Sequence, residues 1–258
     1  MRGMKICKSY ENMKTFGERR SIRKYQPRPV SGKLIEDIAA EASRAATMGN
    51  MQLYSLVVTS DPEVKARLAE AHHHQPMVVE APVVLTFCAD FNRFSKWCMF
   101  RDAVPGYGNF VSFFNAATDA MLFAQAFCTL AEENGLGTCV IGTTVDNPQM
   151  IVDILGLPRL VFPVLTVTLG YPDECPEQTD RLPVQGIVHY DRYADYPEDA
   201  IDRIYAAKEA LPESRYFVSL NGTDNLAQVF TRFRFTEKDN LSMSEKMIAA
   251  LKKQGFIY

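Results

Sequence analysis

Histidine occurs only four times in the 258 residues, tryptophan once, and the six cysteines form no C-x-x-C pair. Several motifs are missing as well. The chain has no H-E-x-x-H, no G-x-x-x-x-G-K-[ST], no G-x-S-x-G, and no G-x-G-x-x-G behind a strand-like run. Zinc hydrolysis, P-loop phosphate chemistry, a serine nucleophile elbow and the common dinucleotide fingerprint therefore have no footing. "GLGTCVIG" comes nearest to a nucleotide loop, but its glycines are wrongly spaced. "HHH" at His72–His74 does not make a metal site, because consecutive helical residues point about 100° apart. It reads as a solvated helix end, and no metal is expected. With so few histidines, acid–base or nucleophilic catalysis by side chains is poorly supported, and an enzyme of this composition needs a cofactor for its chemistry.

Other shortages bound the environment. The opening "MRGMKICKSYENMKTF" has no apolar core of the kind a secretion signal carries. The cysteines are accordingly expected as reduced thiols in the cytoplasm, serving as small core hydrophobes. The most apolar stretch, Phe110–Leu130, is interrupted by Asn115, Asp119 and Gln125, whereas a membrane span needs about 20 residues with few polar breaks. Lys and Arg number 28 against 31 Asp and Glu, for a net charge of -3. That balance disfavours a nucleic-acid partner, which calls for a broad basic face.

Regular structure is well signalled. Ser31 can cap a helix bearing Leu34, Ile35, Ile38, Ala42 and Ala45 at helical spacing. "LYSLVVTS", "APVVLTFCAD", "GTCVIG" and "FPVLTVTLGYP" read as strands. Asp61 and Pro62 start a second helix, and Pro148 and Gly156 bound another. Val111–Asn134 reads as a long helix, apolar nearly all round, with Ala116, Ala117, Ala120 and Ala124 allowing close approach of neighbours. Such a helix is buried in a core or between subunits. The tail is mostly helical, with a capping box expected at Ser242 and Glu245, and "FIY" docking on the body. One α+β domain follows, a mixed central sheet flanked by helices.

Against the acidic background, "GERRSIRKY" puts Arg19, Arg20, Arg23 and Lys24 within six positions. Arginine forks suit bidentate phosphate contacts, although on the knot alone a solvated cationic turn is the better reading.

The wider context is more specific. "ERRSIRKYQPRPV", "AATMGNMQLYSLVV", "TDAMLFAQAFCTLAEENGLGTCVIG" and "NPQMIVDILGLPRLVFPVLTVTLGYPDECPEQTDRLPVQGIVHYDRY" follow one another. In that order and spacing they resemble the nitroreductase family. The resemblance runs from about Phe16 to Tyr193 and resumes in the last helix, "ALKKQGFIY". It implies an FMN-dependent NAD(P)H oxidoreductase: residues 1–258 as one FMN-binding domain with a helical extension from about residue 195, and a homodimer with the long apolar helix at its interface. Carried onto this chain, Arg20, Ser21 and Arg23 would hold the FMN phosphate, with Arg19 standing where relatives often have His. Arg181 would add a contact from a second loop, in which Thr179 replaces a usual Lys. Thr47, Met48 and Asn50 would line the flavin, Gln75 would touch its ring system, and Val140, Ile141, Gly142 and Thr143 would run along it. The second of two usual glycines is here Thr143. Arg215, Arg232 and Arg234 are candidates for the nicotinamide's phosphate.

The implied reaction is ping-pong hydride transfer through flavin N5 from a nicotinamide to a small acceptor such as a nitroaromatic or quinone, with no protein residue acting chemically. A flavin reductase that releases reduced flavin, or a non-catalytic flavin-binding module, stays open as an alternative.

Overall fold

The computed structural model describes residues 16–258; Cys7 lies outside the described residues. The chain divides into two compact units. One takes the chain up to Glu177 together with Met243–Tyr258, and the other is Gln178–Ser242.

The first unit is built on four strands, β1 (Tyr54–Thr59), β2 (Val83–Asp90), β3 (Gly137–Ile141) and β4 (Val161–Gly170), in the order β1-β2-β4-β3. "VVLTFCAD" and "VFPVLTVTLG" are almost continuously apolar or β-branched, and they form the two central strands, which are almost entirely buried. Around the sheet lie α1 (Gly32–Ala42), α2 (Pro62–Ala71), α3 (Pro76–Glu80), α4 (Asn92–Met99), α5 (Phe110–Glu133) and α6 (Pro148–Leu155). The α+β class is as expected. The strands pair antiparallel throughout, so the sheet is mixed only through the isolated parallel bridge Ser21–Thr138.

Local chemistry explains the helix ends. The Ser31 hydroxyl accepts from Leu34 N–H, and Asp61 accepts from Glu63 and Val64 N–H ahead of Pro62. Gly156 closes α6 in the left-handed conformation. On α5, Ala116, Ala120 and Ala124 are fully buried, and α1 and β2 pack against the helix. Phe123 and Phe127 sit edge-on to Phe87, with ring centroids 5.7 and 5.8 Å apart. A second stripe of α5, with Phe110, Val111, Phe114, Met121 and Leu122, is exposed. Phe256 is fully buried 5.5 Å from Phe113, so the end of the chain docks as anticipated.

In the second unit, α7 (Glu198–Glu209), α8 (Pro212–Asn221) and α9 (Leu226–Val229) lead through a π-type turn at Phe230–Arg234 into α10 (Glu237–Lys253). Tyr196 Oη donates to Gly186 O at 3.1 Å and lies 2.9 Å from His189 Nε2. The expected capping box at Ser242 is corrected. α10 begins five residues earlier, at Glu237, because Thr236 Oγ1 accepts from Asp239 N–H and donates to its carboxylate. The cysteine expectation changes too. Cys88, Cys98, Cys128 and Cys139 are buried free thiols, but Cys175 is disulfide-bonded; it lies in an exposed loop rather than in the core.

The arginine-bearing segment is laid on the sheet by packing. Ile22 is fully buried, and its N–H donates to Thr138 O at 2.9 Å. Gly137 and Gly170 face each other across β3 and β4. A Cβ on Gly137 would stand 2.8 Å from the Ile22 side chain, and one on Gly170 would stand 2.8 Å from the Tyr25 ring. Tyr25 Oη donates to Ile22 O at 2.5 Å and lies 2.7 Å from Thr168 Oγ1. Gly137→Ala should therefore displace Ile22 and cost about 1–3 kcal/mol of stability. Urea unfolding of the two proteins measures it; equal stability would show that Ile22 yields freely.

Candidate functional site

The expected site residues fall into three groups held in different ways. The first is the cationic segment along β3. Arg19 Nε lies 3.6 Å from Glu132 Oε1, a buried carboxylate of α5 that also accepts from Thr138 Oγ1 at 2.5 Å. Burial pushes the Glu132 carboxyl above its usual range, with the Thr138 hydrogen bond and Arg19 opposing. Arg19 is thus committed to an internal pair. Glu174 accepts from the main-chain N–H of Arg23 and Lys24, at 2.6 and 3.1 Å. Those amides are occupied, and the Arg23 side chain is left exposed. Arg20 gives one N–H to Glu18 O at 3.0 Å, while its Nε is buried with no hydrogen-bond partner. An orphaned buried guanidinium donor beside Ser21 and Arg23 is what a phosphate oxygen would satisfy.

The second group lies where β3 ends. Val140 is 40% exposed on this edge strand. By strand alternation its main-chain groups face the same edge as Thr138, which the segment covers only at Ile22. Ile141 is buried, and the space above Gly142 is open. The 3₁₀ turn Gly142–Val145 follows, and Thr143 is its hub. Gln75 Nε2 donates to Thr143 Oγ1 at 3.0 Å, and His72 Nδ1 lies 3.0 Å from the same oxygen. Gln75 and Thr143 are thereby brought together.

His72 was not anticipated. Its place at the end of α2 suggested solvent, yet the ring is fully buried and Nε2 has no partner. The solvated-end reading holds for His73 and His74, both exposed, with His73 Nε2 2.8 Å from Asp146. Burial pushes His72 down to about 4. Among the described residues, no group of three or more His, Cys, Asp or Glu is placed to hold a metal ion.

The third group is the loop after α1. Asp119, buried within α5, accepts from Thr47 Oγ1 at 2.5 Å, Met48 N–H at 2.9 Å and Leu53 N–H at 3.2 Å. Gly49, Asn50 and Gln52 all take positive φ in the turn so formed. Asn50 is exposed and anchored by its neighbours alone. Asp119 had been legible only as a polar break in an apolar helix; a lone buried carboxylate has to find donors, and it found this loop.

Arg181 belongs to the second unit, where its Nη1 donates to Thr179 Oγ1 and Asp180 O, each at 2.8 Å. Arg234 lies over the Phe217 ring, 4.1 Å from its centroid.

The fold is that of known oxidoreductases. A solved nitroreductase of Bacillus subtilis superposes with a TM-score of 0.81 at 25% identity, over 95% of this chain and 98% of that one. A Bacteroides fragilis protein of known crystal structure gives a TM-score of 0.91 at 58% identity, over 93% and 98%. By sequence, the FMN reductase [NAD(P)H] of Bacillus subtilis is 32% identical over 73% of this chain and 76% of its own length. The nitroreductase family profile matches residues 17–171, and the chain belongs to the nitroreductase family. FMN and NAD(P)H, the cofactors expected from the sequence, are those with which this family of enzymes works.

The buried ring of His72 makes stability depend on pH. In the unfolded chain it takes its proton near the ordinary value of 6.5, and in the folded protein only near about 4. Its contribution is present in full above 6.5 and is lost as pH falls through that window, by about 1.4 kcal/mol per pH unit. His72→Asn should flatten the fall between pH 6.5 and 5 by about that slope. Urea unfolding at several pH values measures it, and parallel curves for the two proteins would mean that the ring titrates normally.

Proposed function

We propose that this chain is an FMN-dependent NAD(P)H oxidoreductase that reduces small acceptors such as nitroaromatics or quinones, with the cofactor held along the free edge of β3. The observation that carries the reading is the orphaned Arg20 Nε beside Ser21 and the exposed Arg23, on a segment pinned to that strand. FMN held there would supply two-electron hydride chemistry between a nicotinamide and the second substrate, in ping-pong order.

The protein's part is binding and placement. Arg20, Ser21 and Arg23 take the phosphate. The main-chain groups of Val140 and Gly142 offer hydrogen bonds along the strand edge. Gln75, held by Thr143, presents its amide to the ring system. Thr47, Met48 and Asn50 form a lining loop whose shape Asp119 keeps. Since Glu132 draws Arg19 inward, Arg19 acts on the phosphate at most through its charge.

The exposed apolar stripe of α5 supports a homodimer. No helix among the described residues is long and apolar enough to cross a membrane, and a cytoplasmic enzyme is the corresponding reading.

Steady-state NAD(P)H oxidation by the FMN-loaded protein, with a quinone or a nitroarene as acceptor, tests the activity. A colourless protein that takes up no FMN, or one that turns over neither acceptor, overturns it. The phosphate assignment has its own test. Arg23→Ala should weaken FMN binding roughly ten- to hundredfold, the worth of one charge-assisted contact, while Lys24→Ala changes little. FMN titration into the apo-proteins reads both, and equal affinities would move the phosphate elsewhere. Sedimentation of the FMN-loaded protein as a monomer would remove the interface role of α5.

A further inference from the structure

We propose that the first unit carries a second small-molecule site, for an aromatic monocarboxylate, in the cavity between α4, the loop 105–109 and Arg159. The cavity measures about 460 Å³; Tyr258 lines it as well, and no Asp or Glu side chain does. From α4 come Asn92, Ser95 and Met99, spaced three and four residues apart and so on one helix face. Tyr107 forms a fixed wall, since its ring is stacked on buried Phe91 with centroids 4.7 Å apart.

Two polar groups of this cavity are unspent. Arg159 is exposed and has no hydrogen bond or ion pair among the described residues, although it is the one cation lining the space. Ser95 is 5% exposed, and its buried hydroxyl has no partner. A buried hydroxyl is normally satisfied, and one left over in the wall of a cavity that also carries Arg159 points to an absent acceptor.

The backbone around Arg159 is arranged at some cost. Leu160 takes φ 63°, which a branched side chain rarely adopts. It is held there from both sides: its N–H donates to Gln254 O at 2.8 Å, and its carbonyl accepts from Phe91 N–H at 2.9 Å. Gly255, at φ 80°, leaves room for the guanidinium, since a Cβ there would stand 2.3 Å from Arg159 Cζ.

The chemistry narrows the ligand. A single arginine with neutral donors suits one negative charge presented as a planar fork, which is a carboxylate. Met99, Leu160, Pro105 and Tyr107 suit an apolar, flat body. The volume fits a compact ligand, towards the lower end of the roughly 300–1,000 Å³ typical of small-molecule sites. The site is separate from the cofactor edge. Leu160 leads into the start of β4, whereas the arginine-bearing segment meets the strand's far end, where Tyr25 bridges to Pro172. The cofactor edge follows β3 as far as Ile141, which pairs with Thr166, so about five residues of β4, roughly 17 Å, separate its near end from the cavity.

The probe is 2-naphthoate, titrated calorimetrically into the FMN-loaded protein, with the emission of Trp97, the only tryptophan, as a second readout. We expect one saturable site. Arg159→Ala should weaken it roughly ten- to hundredfold, and neutral 2-naphthamide should bind the unaltered protein at least tenfold more weakly. Ser95→Ala should cost a few-fold, and NAD(P)H oxidation by Arg159→Ala should proceed at the unaltered rate. The proposal is overturned by the absence of saturable binding, by naphthamide binding as tightly as naphthoate, by equal binding to Arg159→Ala, or by competition between naphthoate and either substrate. If Arg159→Ala does not fold, the amide comparison and Arg159→Lys, which keeps the charge but loses the fork and should also weaken binding, decide the matter. An inactive but naphthoate-binding protein would refute the oxidoreductase reading and leave this one standing.

Discussion

The contact between Ile22 and Gly137 is the one on which the cofactor edge depends. A segment with four cations in six positions has no reason of its own to lie against a sheet. One fully buried isoleucine inside it, worth roughly 2 kcal/mol of transfer free energy, provides that reason. The absence of a side chain at Gly137 lets Ile22 come close enough for its N–H to reach Thr138 O. Tyr25 completes the anchor through its hydroxyl, whose deprotonation is pushed far up by burial, so it stays a donor. With both anchors seated, the arginines on either side are carried to the strand edge, where Glu132 also draws in Arg19.

Buried carboxylates on α5 perform the complementary task. Asp119 gathers three donors from the loop 47–53, and Glu132 takes a hydroxyl of β3 and the guanidinium of Arg19. A charge in a helix core is tolerated only where donors converge on it, so each acid makes a distant piece of chain come to it. The same rule sorts the cations. Arg19 is drawn inward by Glu132, Glu174 takes the main-chain amides of Arg23 and Lys24, and the guanidinium of Arg20 keeps one donor unsatisfied. A cluster that looks uniform in sequence is divided by its surroundings into structural and available members.

Thr143, at the position where the resemblance to the family implies a second glycine, has partners of its own. Its hydroxyl joins Gln75 to the buried ring of His72, two residues from other turns of chain. Within the family to which the chain belongs, this is a local answer to the question of how the polar groups near β3 are held, and it makes a histidine that stays neutral far below ordinary pH part of the support.

Much was legible from residue order alone. The strands, the long apolar helix and most caps follow from periodicity and from Ser31, Asp61 and Gly156, because these signals act over a few neighbouring residues. The motif order in Arg20–Arg23, Asn50 and Val140–Thr143 was enough to indicate the family and its cofactors. The capping box at Ser242 was misread because Thr236 competes as an earlier start, and the choice between two caps rests on what the preceding turn can bond. His72 looked solvated because the covering residue, Thr143, is distant in the chain. Arg159 carried no signal at all. What a sequence determines by itself is short-range: propensity, periodicity and capping. Only the tertiary structure decided which charges are spent on buried partners and which remain free, because burial and pairing are set by residues far apart in the chain.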